Sequence, residues 1–307
     1  MTSQAGQTVQ TVRGPVSASA LGPTMPHEHI VSDMYRVNRQ KASFMMDLYE
    51  AVNDLRSYKA AGGATIVDCT SGGLGRDPHK LLQASVESDV HIVMGSGWYR
   101  EPFYEEDFNK LSVAVLTERL VDDIENGTDG IRPGVIGEIG ADREWLSAVE
   151  ERALRASARA HRRTGLGIIL HGTRSKVGLW QLDVLEEEGV DLRRVAVSHC
   201  DGLDDVDYHE VLARRGAFVM YDRNGPLDIP QQEERVRNTV EMVRRGLADK
   251  LLLSHDVCWI TDRERRGGPG YSYVLREMRG ELIAAGVDTE IVERIVVDNP
   301  RRLLVGA

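Results

Sequence analysis

Eight short apolar runs, separated by helical stretches, constrain the fold of this 307-residue chain more than any other feature. The runs are rich in branched residues, and the stretches between them carry apolar residues at three- and four-residue spacing. Strands that are almost wholly apolar fit a parallel sheet covered on both faces, so the alternation predicts a (β/α)8 TIM barrel in the α/β class, formed by one domain over residues 1–307. The predicted strands are Pro26–Val31, Ala64–Thr70, His91–Gly97, Gly134–Gly140, Leu166–Gly172, Arg194–Cys200, Ala217–Asp222 and Lys250–Asp256.

The helical stretches have charged outer faces, and glycines close several of them. About 25 residues precede the first strand, and we interpret them as a polar lead-in with short β segments that plugs the bottom of the barrel. The predicted helices are Met46–Ala61, Pro78–Ser88, Leu111–Asn126, Trp145–Thr164, Val177–Glu188, Asp207–Arg215 and Pro230–Gly246.

Metal-binding side chains stand at the ends of these apolar runs. Chemistry in a (β/α)8 barrel gathers at the carboxyl ends of the strands, and neutral imidazoles and carboxylates are the ligands of divalent transition metals. Two histidines two residues apart on a strand face the same way. The sequence therefore predicts one shared metal site, formed by His27, His29, Glu138, His171, His199 and Asp256.

Each of these residues also has a simpler interpretation. A single histidine at a strand end is commonly a loop residue, Glu138 alone can be a buried ion-pair partner, and Asp256 alone can cap the following helix. His255 competes with Asp256 for the inward position, because neighbours on a strand face opposite ways. The joint occurrence favours the metal site. Four further histidines are interpreted as structural, namely His79, His91, His161 and His209.

The composition excludes several classes of function. Hydrophobic residues make up 41% of the chain, which supports a large core, and a formal net charge of −10 argues against nucleic acid or an anionic membrane as partner. No apolar run reaches the ~18 residues of a membrane span, and the first residues lack the layout of a secretory signal. Three scattered cysteines, Cys69, Cys200 and Cys258, fit small buried side chains in a reducing cytoplasm.

The ordered motifs resemble those of the phosphotriesterase family of the amidohydrolase superfamily, almost from end to end. The residues that carry the resemblance are Gly22-Pro23-Thr24 before His27-Glu28-His29, Gly95-Ser96-Gly97-Trp98-Tyr99, Gly137-Glu138-Ile139-Gly140, His171-Gly172, Ser198-His199, Asp222-Arg223 with Gly225, Leu253-Ser254-His255-Asp256-Val257-Cys258, Gly267-Gly268-Pro269-Gly270-Tyr271 and Asn299-Pro300-Arg301-Arg302-Leu303-Leu304.

The resemblance implies two divalent ions per chain, which we expect to be zinc. It implies that His27, His29 and Asp256 hold a buried α metal, and that His171 and His199 hold a more exposed β metal. Many members join the two metals through a carboxylated lysine on the fourth strand. This chain has no lysine in Arg132–Arg143 and offers Glu138, and a known branch of the family similarly uses glutamate within a Gly-Glu-Ile-Gly stretch.

The chemistry that the resemblance implies is hydrolysis by a hydroxide that bridges the two metals, with Asp256 as the catalytic group that takes up and passes on the proton. Tyr99 and Arg223 match positions that line the pocket of lactonase-like members, and Trp259 and Arg263–Arg266 are expected to form the pocket wall. Arg223 holds an anionic group, positions Asp256, or makes a structural ion pair.

This pocket favours a carboxylic ester or lactone with an apolar part and an anionic end. The alternatives are an N-acyl amino acid amide, a phosphotriester, or a barrel that only binds a metal or ligand. The expected partners are a small-molecule substrate and a second copy of the chain in a homodimer, with neither nucleic acid nor membrane.

Overall fold

The computed structural model describes residues 7–172, 175–226 and 229–305 and confirms the predicted barrel. Eight parallel strands form one sheet, in which each strand pairs with the next strand along the chain. The strands are β1 (Thr24–Glu28), β2 (Thr65–Asp68), β3 (His91–Ser96), β4 (Val135–Gly140), β5 (Ile168–His171), β6 (Val195–Val197), β7 (Phe218–Tyr221) and β8 (Leu251–Leu253).

Several strands are shorter than the apolar runs predict. Strand β6 ends at Val197 rather than Cys200, and β8 ends at Leu253 rather than Asp256. The cause is the backbone just beyond each strand, because His199 has a φ of 58° and Asp256 a φ of 52°. These left-handed conformations cannot continue a strand. The polar residues at these two ends therefore stand on turns at the barrel mouth.

The helices lie close to their predicted positions because the local signals are strong. Asp77 caps the helix that begins at Pro78, while Ser147 and Glu150 form a reciprocal capping box. Gly165, at a φ of 74°, ends that second helix. The helices are α1 (Leu48–Ala60), α2 (Pro78–Ser88), α3 (Val113–Asn126), α4 (Ala148–Thr164), α5 (Val177–Glu187), α6 (Val206–Arg214), α7 (Ile229–Arg244) and α8 (Arg279–Ala284), with further helical segments at Tyr35–Asn38, Val274–Met278, Thr289–Glu293, Arg294–Asp298 and Asn299–Val305.

Two apolar layers hold the barrel together. Outward residues of the strands pack against the helices in the larger layer, and inward residues such as Val67, Val93 and Ile169 fill the barrel interior. Val9 and Leu21 join this interior cluster from the N-terminal segment, whose hairpin pairs Thr8–Thr11 with Gly14–Ser17. The predicted plug is thereby confirmed.

Other features of the described residues agree with the composition. The three cysteines are buried and free, as predicted. None of the helices in residues 7–172, 175–226 and 229–305 combines the length and apolar character that crossing a membrane requires.

Glu28 closes the barrel where β8 meets β1. Its Oε1 accepts hydrogen bonds from the Ser254 hydroxyl at 2.7 Å, the His255 backbone N–H at 2.9 Å and the His255 ring Nδ1 at 2.7 Å. Its Oε2 accepts one from the Val257 N–H at 3.0 Å. His255 Nε2 in turn accepts from the Val274 N–H, so the ring proton must lie on Nδ1. His255 therefore stabilises the seam and does not compete with Asp256 for the inward position.

We predict that Glu28→Gln lowers the free energy of unfolding by about 2–4 kcal/mol, because an amide NH2 cannot accept the bonds that one carboxylate oxygen accepts in this buried seam. Urea denaturation of both proteins measures the change. Glu187→Gln is the control, since Glu187 is exposed and pairs only at the surface with Arg155, and its effect should stay within about 0.5 kcal/mol. A Glu28→Gln midpoint equal to that of the unmodified protein would contradict this role.

Candidate metal centre

The barrel brings all six predicted metal-binding residues together at one end. Each lies in, or within three residues of, the carboxyl end of a strand, and each is buried or nearly so. His27 is in β1 and His29 follows it, Glu138 is in β4, His171 ends β5, His199 follows β6, and Asp256 follows β8. Residues more than 200 positions apart in sequence thus share one site, as the strand-end pattern predicts.

The carboxylate of Glu138 lies at the centre of the cluster. Its Oε2 is 2.7 Å from His171 Nδ1 and 3.6 Å from both His27 Nε2 and His199 Nε2. Its Oε1 is 3.3 Å from His29 Nε2. One carboxylate therefore contacts all four imidazoles, which places it between two pairs of histidines.

Two ion-sized groups of ligand atoms share this carboxylate. One combines Glu138 with His27 and His29, and the other combines it with His171 and His199. Asp256 adjoins the first group, with its Oδ1 at 3.4 Å from His29 Nε2 and 3.7 Å from His27 Nε2. The cluster therefore offers each of two neighbouring ions its own pair of histidines, with Glu138 shared between them.

The donor atoms fit divalent ions. His27 Nε2 is buried and has no hydrogen-bond partner among the described residues. A polar atom in that position is costly unless a ligand satisfies it. Imidazole nitrogens and carboxylate oxygens, each presented from a separate strand, are a suitable set for zinc and related metals.

Asp222 orients two of the imidazoles from behind. It accepts hydrogen bonds from His199 Nδ1 at 2.9 Å and from the backbone N–H of His199 at 3.0 Å. Its Oδ2 also lies 2.9 Å from His27 Nδ1, which is hydrogen-bonded to the Ser198 hydroxyl at 2.9 Å. Thr70 meets His29 Nδ1 in a similar way at 2.9 Å. With their Nδ1 atoms engaged, the three rings direct Nε2 toward Glu138. Such outer partners fix the tautomer and orientation of metal-binding histidines.

The buried charges of the cluster stabilise one another. Burial alone would lower the pKa of His29, but hydrogen bonds to Asp256 and Glu138 raise it to about 9. Burial would raise the pKa of Glu138, whereas His171 and His27 hold that pKa well below its usual range. In the metal-free protein His29 is therefore an imidazolium beside ionised carboxylates.

A cavity of about 270 Å³ opens onto the cluster. Tyr99, Arg223 and Trp259, all predicted to contact substrate, lie in its wall, together with Met34, Asn38, Arg100, Gly172 and Cys258. The prediction for Arg263–Arg266 is wrong, because none of these residues lines the cavity. Arg263 lies in the segment after β8 with its side chain buried, and it donates hydrogen bonds to the Tyr271 hydroxyl and to the carbonyl of Ile30.

The contacts of Arg223 favour one of the roles that the sequence leaves open, the positioning of Asp256. Its Nη1 lies 3.4 Å from Asp256 Oδ2, and its backbone N–H donates to Asp201 at 2.9 Å. Burial would lower the pKa of Arg223, but the Asp256 carboxylate raises it, so the guanidinium is charged. Arg223 therefore positions Asp256 while it also faces the cavity.

Sequence reasoning gave no role to Asp222 and did not single out Arg100. The signal for Asp222 was present, because it follows the apolar strand β7 as the other polar residues follow theirs. Arg100 had no such signal, since its place in the cavity depends on how the loop after β3 folds.

We predict that metal binding releases at least one proton per chain at pH 7.5. A ligand imidazole must be neutral, whereas the raised pKa of His29 keeps its proton in the metal-free protein up to about pH 9. Metal affinity should therefore fall as the pH is lowered below 9. Calorimetric titration in two buffers of different ionisation enthalpy measures the release, and identical heats in both buffers would contradict it.

Known proteins share this architecture. The family model described as "Phosphotriesterase family" matches residues 7–304. Human N-acetyltaurine hydrolase is 30% identical, and the match covers 99% of each chain. A resiniferatoxin-binding protein from Rhodobacter sphaeroides is 33% identical with a TM-score of 0.89, covering 97% of this chain and 95% of its own. A lactonase from Listeria monocytogenes is 26% identical with a TM-score of 0.91, covering 98% and 99%. The chain therefore belongs to the phosphotriesterase family, as its motifs predict, and is a metal-dependent hydrolase.

Proposed function

We propose that this hydrolase cleaves a carboxylic acyl bond in a small substrate with an anionic end, and that the bond is an amide. The observation that carries the proposal is the cavity, in which Arg100 and Arg223 stand beside the histidine and carboxylate cluster. Cations at this position favour an anionic substrate. An N-acyl amino acid or N-acyl aminosulfonate fits this description, and the full-length similarity to N-acetyltaurine hydrolases supports it.

A lactone or carboxylic ester is the second candidate. Amides, esters and lactones are all attacked at an acyl carbon, so one site can serve each of them. The similarity to a lactonase over nearly the whole chain favours this reading. The apolar part of the cavity wall, with Met34, Tyr99 and Trp259, suits the ring or acyl chain of such a substrate.

We propose that His27, His29, Glu138, His171, His199 and Asp256 hold two divalent ions, which are zinc. Bound divalent ions activate water as the nucleophile and polarise the scissile carbonyl. The six side chains would keep the reacting groups close together, and Tyr99 lines the cavity beside them. Further parts of the proposal are a homodimer, measurable by light scattering, and a cytoplasmic location.

Asp256 carries the proton in this proposal. Burial would raise its pKa, but the hydrogen bond to His29 and the charges of the neighbouring histidines and Arg223 lower it, so the carboxylate is ionised. An ionised carboxylate at this position can accept a proton from the attacking water and deliver it to the leaving group. An amine leaving group depends on that delivery, whereas an aryl oxide leaves unprotonated.

A substrate panel tests the proposed function. Metal-loaded protein is given N-acetyltaurine, N-acetyl amino acids, lactones, aryl esters and phosphotriesters, and its metal content is measured by elemental analysis. We expect two ions per chain and the highest kcat/KM with an anionic amide. A preference for lactones would establish the second candidate. If the protein takes up no metal and binds the test compounds without hydrolysing any of them, both candidates are contradicted.

We predict that Asp256→Asn reduces kcat for the amide by about 10²- to 10⁴-fold, because the carboxamide can still coordinate a metal through oxygen but cannot accept a proton. The loss should be smaller with an aryl ester, whose leaving group needs no proton. Steady-state kinetics on metal-replete protein measure both. Equal losses on the two substrates would show that Asp256 does not protonate the leaving group.

We predict that the metal-free protein recovers its hydrolytic activity on addition of zinc at a rate that does not depend on CO2. Glu138 already carries the carboxylate that a lysine would have to gain, and no lysine lines the described part of the cavity. Metal is removed with a chelator, and zinc is returned in degassed or bicarbonate-rich buffer while hydrolysis is followed. Equal recovery rates support Glu138 as the bridge, and marked acceleration by bicarbonate would assign the bridge to a lysine.

A further inference from the structure

Arg100 is held at the cavity by aromatic stacking. Its guanidinium carbon lies 5.0 Å from the centre of the Tyr99 ring and 5.3 Å from that of Phe103. The Tyr99 ring packs edge-on against His171, with ring centres 4.7 Å apart. A single aromatic ring thus separates the guanidinium of Arg100 from a residue of the metal centre, which brings it within reach of the far end of a small substrate.

The guanidinium of Arg100 has donor capacity to spare. Its Nη1 donates to Asp142 Oδ1 at 2.7 Å. Its Nε is buried and has no hydrogen-bond partner among the described residues. A guanidinium presents five N–H donors in a planar fork, a geometry that matches the paired oxygens of a carboxylate or sulfonate.

Asp142 does not depend on Arg100 for its charge balance. Its second oxygen, Oδ2, lies 3.2 Å from Nε of Arg143, which is an exposed arginine outside the cavity wall. Asp142 therefore keeps a cationic partner when Arg100 also contacts an anion. The carboxylate engages Nη1, and among the described residues Nη2 makes no hydrogen bond, so Nη2 is the donor left for a ligand.

The other arginine of the cavity is differently placed. Arg223 follows β7, whereas Arg100 follows β3, so three strands of the eight-stranded barrel lie between them. Arg223 is directed at Asp256, where it serves the reacting end of the site. Arg100 has no contact of that kind with the cluster, and its charge acts at a distance from the acyl carbon.

We propose that Arg100 is the specificity-determining residue that binds the anionic end of the substrate, a sulfonate or carboxylate carried on the leaving-group side of the acyl bond. This inference rests on the proposed function. Charged hydrogen bonds formed in a half-buried site favour the anionic over the neutral substrate by about 10- to 100-fold. Asp142 is a positioning residue, since it acts through Arg100.

Two substrates that differ only in the terminal group, which is anionic in one and neutral in the other, test this inference. N-acetyltaurine carries a sulfonate where N-acetylethanolamine carries a hydroxyl, and the scissile amide is the same in both. In Arg100→Met, the ratio of kcat/KM for the anionic to that for the neutral substrate should fall by about 10- to 100-fold, mainly through KM. Arg100→Lys should recover part of the ratio. Arg143→Met is the matched control, because it removes the other cation from Asp142 outside the cavity, and it should retain the original ratio.

A binding measurement separates this inference from the proposed function. Propane-1-sulfonate is titrated calorimetrically into the metal-loaded unmodified protein and into the Arg100→Met and Arg143→Met variants. This measurement of affinity needs no turnover. If neither amide is cleaved but sulfonate binding falls by the same factor in Arg100→Met alone, the amide proposal fails and the role of Arg100 stands. An unchanged ratio in Arg100→Met, equal weakening in Arg143→Met, or no sulfonate binding by the unmodified protein would overturn it.

Discussion

The buried carboxylate of Glu138 is the interaction on which the rest of the site depends. Four imidazoles converge on it, and they come from three strands that meet only in the closed barrel. A carboxylate that is 2% exposed would be strongly destabilising alone. The surrounding histidines offset that cost without metal, and divalent ions offset it more fully. A glutamate supplies this charge from the chain itself, so the metal bridge that we propose for Glu138 would require no modification of a lysine.

The barrel seam and the metal centre are parts of one structure. Glu28 lies between His27 and His29 in sequence, and its side chain points the other way, into the seam beside β8. The residues that it binds there immediately flank Asp256. One strand therefore presents two histidines to the metal centre and one carboxylate to the seam. The alternation of a β-strand explains why His-Glu-His occurs as a unit, because each of the three positions has its own buried partner.

The sequence was sufficient to predict the barrel, its plug and the six residues of the cluster, because each depends on a local pattern. Apolar runs define the strands, and a polar residue at the end of a run must stand at the mouth. The remainder depends on contacts between distant segments. Asp222 could be placed behind His27 and His199 only once β1, β6 and β7 were arranged in space. The left-handed turns at His199 and Asp256 carry no glycine to mark them, which is why β6 and β8 were predicted too long.

The position of Arg100 shows why the cluster alone does not define the substrate. Ligands on strand ends are fixed by the sheet, so they specify the reaction class and are compatible with amides, esters and lactones alike. Selectivity must come from the loops, which vary without disturbing the barrel. In this chain the loop after β3 stacks an arginine on two aromatic rings and anchors it to a carboxylate from the loop after β4. A cation held in this way loses little conformational entropy when it binds an anion. The metal centre therefore determines the class of reaction, and in our proposal the β3 loop selects the molecule on which it acts.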